Sequence, residues 1–433
     1  MSVRTTIHRA GRYAVLAACV VGLSTSARAQ DPAQPQDPAQ PAQGPSQPAP
    51  EAAQPAPNAK STFEIYGFAM LDIGHDFKQI DPAWFDTMRV TKLPSFEKQF
   101  GENENTFAGV RQSRFGVRSS TPTTHGDLKT IFEFELFGTG VDAGQTTLRL
   151  RHAWGELNAF GAGQTWSPFM DPDVFPNQLE YWGPTGMVFF RNVQFRLTPM
   201  RGANSVMIAF ERPGASGDAG VYADRIELQN IKPRFPVPDV SAAFKATRSW
   251  GYARAAGIFR VIKYDDVLQD QFNLSGTAYG WGINLSSNYN VTKKDVVRLQ
   301  VVFGEGIQNY MNDSPVDVGV KLNTSDPVRP VVGDSLPIVG IVAFVDHTWN
   351  ERFSSAVGYS RQDNSNSDGQ APNAFKDGQY ALGNLLYYPV PNVMVGGELQ
   401  WGRRENNSDG FHSDGLKVQF SFKYNFSLKL GGQ

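Results

Sequence analysis

Residues 416–426, Leu-Lys-Val-Gln-Phe-Ser-Phe-Lys-Tyr-Asn-Phe, alternate between large apolar and polar side chains without interruption. Successive side chains of a β-strand point to opposite faces, so such a segment has one apolar and one polar face. Residues 127–137, 277–289 and 296–304 show the same period of two. The pattern predicts an all-β protein. A soluble sandwich or propeller would alternate in the same way, so the period alone does not identify the solvent on the apolar face.

The lengths of the connections separate these alternatives. Long connections, such as 77–106 and 305–337, alternate along the chain with short ones, such as 350–351 and 389–392. Long loops on one rim, short turns on the other and an even strand number are the geometry of bacterial outer-membrane barrels. We therefore predict a transmembrane antiparallel β-barrel of about 16 strands over residues 61–426, wide enough for an aqueous channel. The predicted strands lie near 63–76, 107–120, 126–137, 146–157, 159–166, 187–197, 203–212, 238–247, 250–263, 277–289, 295–304, 338–349, 352–362, 377–388, 393–403 and 412–426.

The first 29 residues have the pattern of a secretory signal peptide. Three arginines precede an apolar run at 13–23, and Ala-Arg-Ala at 27–29 fits a cleavage site. The run is too short to span a bilayer. Residues 16–19, Leu-Ala-Ala-Cys, also resemble a lipoprotein box, which leaves lipidation of Cys19 as an alternative. Cleavage after Ala29 removes the single cysteine of the chain, so no disulfide is expected.

Residues 30–60 repeat Pro, Ala and Gln and contain too few large apolar residues to form a core. We expect a disordered periplasmic spacer there, and a short C-terminal tail at 427–433. Loss of the leader removes four arginines and no acid, which changes the formal net charge from −2 to −6. A mildly acidic chain without a basic tract argues against nucleic acid as a partner.

The third long connection lies within residues 163–186, Gly-Gln-Thr-Trp-Ser-Pro-Phe-Met-Asp-Pro-Asp-Val-Phe-Pro-Asn-Gln-Leu-Glu-Tyr-Trp-Gly-Pro-Thr-Gly. Its prolines exclude a regular strand or helix, and its aromatic side chains need packing partners. The segment either lies on the outer barrel wall or folds into the lumen and narrows a pore. We expect the second arrangement, an inward-folded third extracellular loop. The predicted constriction residues are Trp166, Phe169, Asp171, Asp173, Glu180, Tyr181 and Trp182.

The polar faces of the predicted strands carry many basic side chains. Charge facing lipid at the bilayer midplane costs roughly 2–4 kcal/mol per Arg or Lys, so these side chains are placed in the lumen. Guanidinium groups bind carboxylate and phosphate well, which would favour small anions. Alternatively, the arginines pair with inward acids such as Glu133 and Glu135 and stiffen the wall. The predicted pore-lining residues are Arg114, Arg118, Lys129, Arg149, Arg151, Arg196, Arg254, Arg260 and Arg298.

Two residues fit the alternation poorly. His152 and Arg191 fall on the outward face, and we expect them at a subunit interface and near a rim, respectively.

Motifs of catalysis are lacking. The sequence has no G-x-S-x-G, no H-E-x-x-H and no phosphate loop, and its six His are scattered. Residues 363–369, Asp-Asn-Ser-Asn-Ser-Asp-Gly, resemble a calcium loop, but the glycine is one position late. We expect no enzyme, no cofactor and no metal site.

Five motifs point to a known family: Arg111-Gln-Ser-Arg-Phe-Gly-Val-Arg118, Leu148-Arg-Leu-Arg-His-Ala-Trp-Gly155, Gly163-Gln-Thr-Trp-Ser-Pro-Phe169, Tyr181-Trp-Gly-Pro-Thr-Gly186 and Arg191-Asn-Val-Gln-Phe-Arg-Leu-Thr198. With these motifs the chain resembles the DcaP-like porin family of Gram-negative outer membranes over most of residues 60–426, most specifically around 109–198. This resemblance implies a homotrimeric diffusion channel for small anions such as dicarboxylates, surrounded by outer-membrane lipid and lipopolysaccharide. A plugged-barrel receptor or adhesin without channel activity is the alternative. Family members often begin with a coiled coil, whereas residues 30–60 are Pro-rich, and the chain does not end on an aromatic residue.

Overall fold

The computed structural model describes residues 60–431, so the predicted signal peptide and nearly all of the predicted spacer lie outside the described residues. Within this range no helix has the length and hydropathy needed to cross a membrane. Short 3-10 helices occur at Pro82–Trp84, Val90–Lys92, Gly140–Asp142, Pro172–Val174, Gly220–Tyr222, Ile226–Asn230 and Gln308–Tyr310. The strands are β1 Thr62–Asp76, β2 Asn105–Gly109, β3 Arg114–Thr123, β4 Gly126–Phe137, β5 Thr146–Leu157, β6 Phe160–Trp166, β7 Arg191–Met200, β8 Asn204–Glu211, β9 Ile231–Arg234, β10 Asp239–Arg248, β11 Gly251–Asp266, β12 Gly276–Asn290, β13 Asp295–Glu305, β14 Val318–Leu322, β15 Val331–Ser335, β16 Pro337–Asn350, β17 Phe353–Asn364, β18 Phe375–Tyr387, β19 Val393–Asn406 and β20 His412–Gly431.

All strands except β14 and β15 form one antiparallel sheet that closes on itself. The first strand pairs with the last along its whole length, from Thr62 opposite Gly431 to Asp76 opposite Lys417. Two wall positions are each built from two short strands. β2 and β3 lie one after the other along β1, and β9 and β10 lie one after the other along β11. The sheet therefore has sixteen strand positions, and the predicted barrel is confirmed.

The barrel is apolar outside and polar inside. Along β20, Phe420 is 60% and Phe422 48% exposed, whereas Gln419 is 0% and Ser421 3% exposed. An apolar outer face of this extent needs hydrocarbon as its solvent, and a closed barrel leaves no strand edge unpaired in lipid. The long connections all leave the same rim, which we assign to the extracellular side because the periplasmic turns of such barrels are short.

The last strand extends beyond its predicted end. β20 continues to Gly431, with Leu428 opposite Ile65 and Leu430 opposite Phe63. Residues 427–431 are therefore barrel wall and not a tail. The alternation continues through Ser427 and Lys429, so the two leucines stay on the outer face.

The long connection 306–336 contains a hairpin outside the barrel sheet. β14 and β15 pair only with each other, and the Gly333 N–H donates to the hydroxyl of Tyr264 on β11 at 2.8 Å. This contact holds the hairpin against the extracellular end of the wall. The first part of the same connection, residues 306–317, packs inside the barrel, as described below.

Candidate pore and its constriction

The connection 167–190 between β6 and β7 lies inside the barrel. Its backbone meets inward-facing side chains around most of the wall: the Phe169 carbonyl accepts from Asn284 of β12 at 2.8 Å, and the N–H groups of Leu179 and Glu180 donate to Glu398 of β19 at 2.8 and 2.9 Å. Because side chains that point into the lumen reach only groups inside it, the connection cannot lie on the outer surface. We call residues 167–190 the internal loop.

The acidic residues of the internal loop differ in exposure. Asp171 is buried and accepts from Tyr252 at 2.8 Å and from Ser286 at 2.5 Å, so its carboxylate fixes the loop to β11 and β12. The Asp173 side chain is 48% exposed and pairs with Lys245 of β10 at 2.5 Å. Of these two predicted residues, Asp173 is the one that presents a carboxylate to solvent.

Glu180 is buried at the far end of the internal loop. One carboxylate oxygen accepts the Met88 N–H at 2.9 Å, and the other accepts the Gly183 N–H. Burial raises the pKa of this loop carboxyl to about 7, although its backbone hydrogen bonds act in the opposite direction. Glu180 therefore connects the internal loop to the loop that follows β1, and it does not present its carboxylate to solvent.

The predicted aromatic residues of the constriction also differ in how deeply they are buried. Phe169 is completely buried in an apolar cluster with Tyr310 and Ile307. Tyr181 stacks on Phe137 of β4, with ring centres 3.8 Å apart, and Trp182 packs edge-on against Trp84 at 4.7 Å. Trp166, Tyr181 and Trp182 are half-buried. These three rings, and not Phe169, border the remaining space.

Three predicted arginines converge on two carboxylates of β4. Arg151 donates to Glu133 and to Glu135, both at 2.6 Å. Arg114 lies 3.7 Å from Glu133 and 3.5 Å from Glu135, and Arg149 lies 3.5 Å from Glu135. More guanidinium groups than carboxylates meet here, so the cluster is left with net positive charge.

A second group of charges lies nearer the periplasmic rim. Arg118 pairs with Glu64 at 2.8 Å, and its side chain is 41% exposed. Arg196 lies 3.6 Å from Glu156, which Arg201 also contacts at 2.8 Å. Lys129 is exposed and stands opposite Glu156 in the β4–β5 register. Together with the cluster around Glu133 and Glu135, these residues form what we call the basic wall, on β3 to β7 and the turn after β7.

The three remaining predicted arginines hold loops in place. Arg260 is 0% exposed and bridges Asp239 at 3.0 Å and Asp317 at 2.7 Å. Arg254 is buried and donates to the Pro168 carbonyl at 2.5 Å. Arg298 pairs with Asp346 at 2.6 Å and also donates to the Asp173 carbonyl. Arg254 and Arg260 point into the barrel but are covered by loops that lie far away in sequence.

The predictions for His152 and Arg191 were wrong. In the β4–β5 register Glu133 faces His152 while Phe134 faces Leu150, so Arg151 is the extra residue of a β-bulge. A bulge reverses the alternation beyond it, and His152 turns inward, where its Nδ1 lies 3.0 Å from the Thr165 hydroxyl. Arg191 also lies inside, 3.6 Å from Glu135 and 4.8 Å from the centre of the Trp166 ring. Sequence alternation missed the inward position of His152 because it assumes an unbroken ladder.

The loop after β1 contributes residues that the sequence analysis did not select. Arg89 pairs with Asp313 at 2.9 Å, and its guanidinium lies 4.0 Å from the Trp84 ring centre and 4.1 Å from that of Trp182. Three connections, 77–104, 167–190 and 306–317, thus meet inside the barrel. No periodic signal marks these residues, because none of them lies in a regular element that alternates.

A sixteen-stranded barrel with a charged interior narrowed by an internal loop is the architecture of porins. The sequence matches the family model of the DcaP outer membrane protein over residues 51–426. The chain therefore belongs to the DcaP family, as the motifs in 109–198 predicted, and its place is the bacterial outer membrane. Family and fold together make it a porin-type protein and not an enzyme.

Solved structures share the fold at low sequence identity. The crystal structure of the outer membrane channel DcaP of Acinetobacter baumannii is 19% identical, with a TM-score of 0.68 over 85% of this chain and 98% of that one. An anion-selective porin from Comamonas acidovorans is 11% identical, with a TM-score of 0.54 over 85% of this chain and 100% of that one. The in-vitro folded trimer form of OmpT of Vibrio cholerae is 13% identical, with a TM-score of 0.51 over 85% and 100%. No curated protein sequence matches the chain.

Within residues 60–431, no group of three or more His, Cys, Asp or Glu side chains is arranged to hold a metal ion. The buried carboxylates described above accept hydrogen bonds from hydroxyl, guanidinium or backbone N–H groups. Their arrangement stabilises the internal loop on the wall and resembles neither a metal centre nor a nucleophile with its base.

Proposed function

We propose that this protein is a diffusion channel for small hydrophilic solutes that favours anions. The observation that carries the proposal is the basic wall, where Arg114, Arg149, Arg151 and Arg191 surround only Glu133 and Glu135. A guanidinium stays protonated at any physiological pH, so the excess positive charge is permanent. Fixed charge of one sign in a low-dielectric bore raises the local concentration of ions of the opposite sign.

Exposure decides which members of the basic wall meet a solute. Arg118 is 41% and Arg149 27% exposed at the side chain, while Arg151 is nearly covered. An anion passing along β3 to β7 would exchange contacts between exposed guanidinium groups, whereas the covered Arg151 sets their positions through the two glutamates. Arg196 and Lys129 extend this path toward the periplasmic rim.

Dicarboxylates fit this arrangement because a guanidinium fork binds a carboxylate with two parallel hydrogen bonds. A dianion could hold one arginine while it reaches for the next. The Acinetobacter DcaP is described as a channel and the Comamonas porin as anion-selective, which supports the same proposal for this chain. We extend it to a homotrimer, given the trimeric form known for OmpT.

The plugged-barrel alternative has one observation in its favour. Two of the connections inside the barrel, 77–104 and 167–190, bury an apolar cluster against the wall that includes Met88, Val174, Met187 and Phe344. If this packing closed the bore completely, the protein would be a surface receptor without a current.

Planar-bilayer recording of the purified oligomer separates the two functions. The proposal expects stepwise ion currents and, in a KCl gradient, a reversal potential displaced toward that of chloride. Absence of current would support the receptor. A reversal potential displaced toward that of potassium would show that the protein is a channel but does not favour anions.

A further inference from the structure

We infer that the outer face of the barrel at β7 to β11 carries a specific binding site for a phosphorylated glycolipid of the outer leaflet, the lipid A portion of lipopolysaccharide. The inference concerns the outside of the wall and does not depend on which solute crosses the lumen. It rests on a recess in the wall and on the basic residues placed directly above the apolar belt.

The recess arises where the sheet is interrupted. β8 ends at Glu211 opposite Asp239, the first residue of β10. Nearer the extracellular end, β11 pairs with β9 instead of β10. This pairing runs from Lys263 opposite Arg234 to Asp266 opposite Ile231. Residues 235–238, Phe-Pro-Val-Pro, connect the two short strands. The two prolines lack the backbone N–H that strand pairing requires.

A groove of about 440 Å³ opens at this interruption. Apolar side chains form most of its surface, and one guanidinium stands at its edge. Its lining includes Val193, Phe195, Phe210, Arg212 and residues 235–238. A groove of this composition on a lipid-facing wall suits an acyl chain.

Below the groove, the outward side chains form a continuous apolar belt. The strand registers place Phe195 beside Phe210, Phe210 beside Val240, and Val240 beside Phe259. All four are exposed on the outer face. This level of the wall therefore lies in hydrocarbon.

Above the belt, the outward positions become basic. Arg212 lies two residues beyond Phe210, about 7 Å higher along β8, and Lys263 lies four residues beyond Phe259, about 13 Å higher along β11. Arg234 stands opposite Lys263 and Lys232 opposite Asp265. Since β8 and β11 both run toward the long extracellular connections, these residues lie at the headgroup level of the outer leaflet.

The charge balance favours an anionic headgroup. Four basic residues face one outward acid, Asp265, which is paired with Arg234. Within residues 60–431, the exposed side chains of Arg212 and Lys232 have no ion-pair partner. Guanidinium and ammonium groups bind phosphate strongly, and phosphate on an acylated headgroup would place its chain in the groove directly below.

A second groove on the barrel shows the contrast. It measures about 420 Å³, lies on β17 to β20, and is lined by Val357, Leu385, Leu399 and Phe420 with no Lys or Arg. Such a site could take an acyl chain of any lipid, because it offers nothing to a phosphate. Of these two grooves, the one at β7 to β11 combines an apolar surface with a basic residue.

Native mass spectrometry of the intact oligomer, titrated with bisphosphorylated lipid A, tests the inference. Arg212→Gln/Lys263→Gln should weaken lipid A retention by about tenfold or more, because two charge-assisted contacts are lost. Val193→Trp, which fills the groove and keeps the charges, should weaken it as well. The control Lys293→Gln/Lys294→Gln removes two charges at the periplasmic rim and should leave retention unchanged.

The same titration with dephosphorylated lipid A and with phosphatidylglycerol, on the unmodified protein, tests the ligand even if a variant fails to fold. Weaker retention of both lipids supports the site. Equal retention of dephosphorylated lipid A, or unchanged retention in both groove variants, would overturn it. Displacement of lipid A by inorganic phosphate alone would also overturn it, since the groove would then contribute nothing.

Discussion

The guanidinium of Arg89 lies 4.1 Å from the centre of the Trp182 ring and 2.9 Å from the carboxylate of Asp313. Arg89 belongs to the connection after β1, Trp182 to the internal loop and Asp313 to the connection after β13. One side chain thus contacts three loops that are far apart in sequence. The shape of the bore depends on this junction as much as on the barrel.

Replacing Arg89 by Ala removes the ion pair and both ring contacts, while the barrel ladder stays intact. We expect more frequent current fluctuations in single-channel records, because the internal loop loses a fixed point. The melting temperature of the barrel should change little. Lys98→Ala is the matched control, since Lys98 lies in the same connection but pairs only with exposed Glu102. Equal noise in both variants would contradict the role assigned to Arg89.

The double variant Arg114→Ala/Arg118→Ala removes two positive charges from the basic wall. We expect a smaller reversal potential in a KCl gradient, with a shift away from chloride, because Glu64, Glu133 and Glu135 then lose part of their neutralisation. The barrel should still fold. Arg403→Ala, which removes a charge bordering outward Asp414 at the extracellular rim, should leave the reversal potential unchanged. If both proteins behave alike, the basic wall does not set selectivity.

Arg260→Met leaves the buried carboxylates of Asp239 and Asp317 without their cation. Breaking a buried pair in this way typically costs about 3–5 kcal/mol. We expect a loss of that size in the free energy of unfolding, measured by reversible urea titration in lipid vesicles. Adding Asp239→Asn and Asp317→Asn to the same variant should recover part of the loss. No recovery would show that packing of the long side chain, and not charge compensation, is what Arg260 provides.

Glu180 should make stability depend on pH. Burial raises its pKa from 4.5 to about 7 in the folded protein, so the folded state holds this proton more tightly than the unfolded state does. The resulting stabilisation is present at low pH and is lost as the pH rises through about 7; a shift of this size corresponds to about 3 kcal/mol.

Thermal unfolding between pH 5 and pH 8 checks this expectation. Glu180→Gln mimics the protonated carboxyl and should reduce the difference between the two conditions. Glu102→Gln, at an exposed carboxylate of the neighbouring connection, should retain it. A pH dependence that is undiminished in Glu180→Gln would assign the titration to other groups.

Alternation along single strands predicted the wall well. The predicted segments 277–289 and 295–304 correspond to β12 at Gly276–Asn290 and β13 at Asp295–Glu305. The alternation failed at two kinds of place. At the bulge beside Arg151 one extra residue reversed the inward side, and at 110–113 and 235–238 the chain broke a strand position in two.

The candidate site could be predicted only in part. Proline and aromatic content correctly selected residues 163–186 as an unusual connection, and the inward faces of β3 to β5 contain Arg114, Arg118, Arg149 and Arg151. Sequence could not tell an exposed guanidinium from a covered one. Arg260 and Arg118 have the same strand pattern, yet one is sealed beneath Asp317 and the other meets solvent.

The sequence by itself determined the barrel, its sixteen positions and, apart from β5 beyond the bulge at Arg151, which face of most strands meets lipid. These follow from side chains two residues apart and from the lengths of the connections. Only the tertiary structure decided how the bore is filled. The contacts that do so join Arg89 to Asp313, Leu179 to Glu398 and Asn284 to Phe169 across more than a hundred residues. Such contacts produce no periodic pattern in the sequence, because they form only when the closed barrel brings distant loops together inside it.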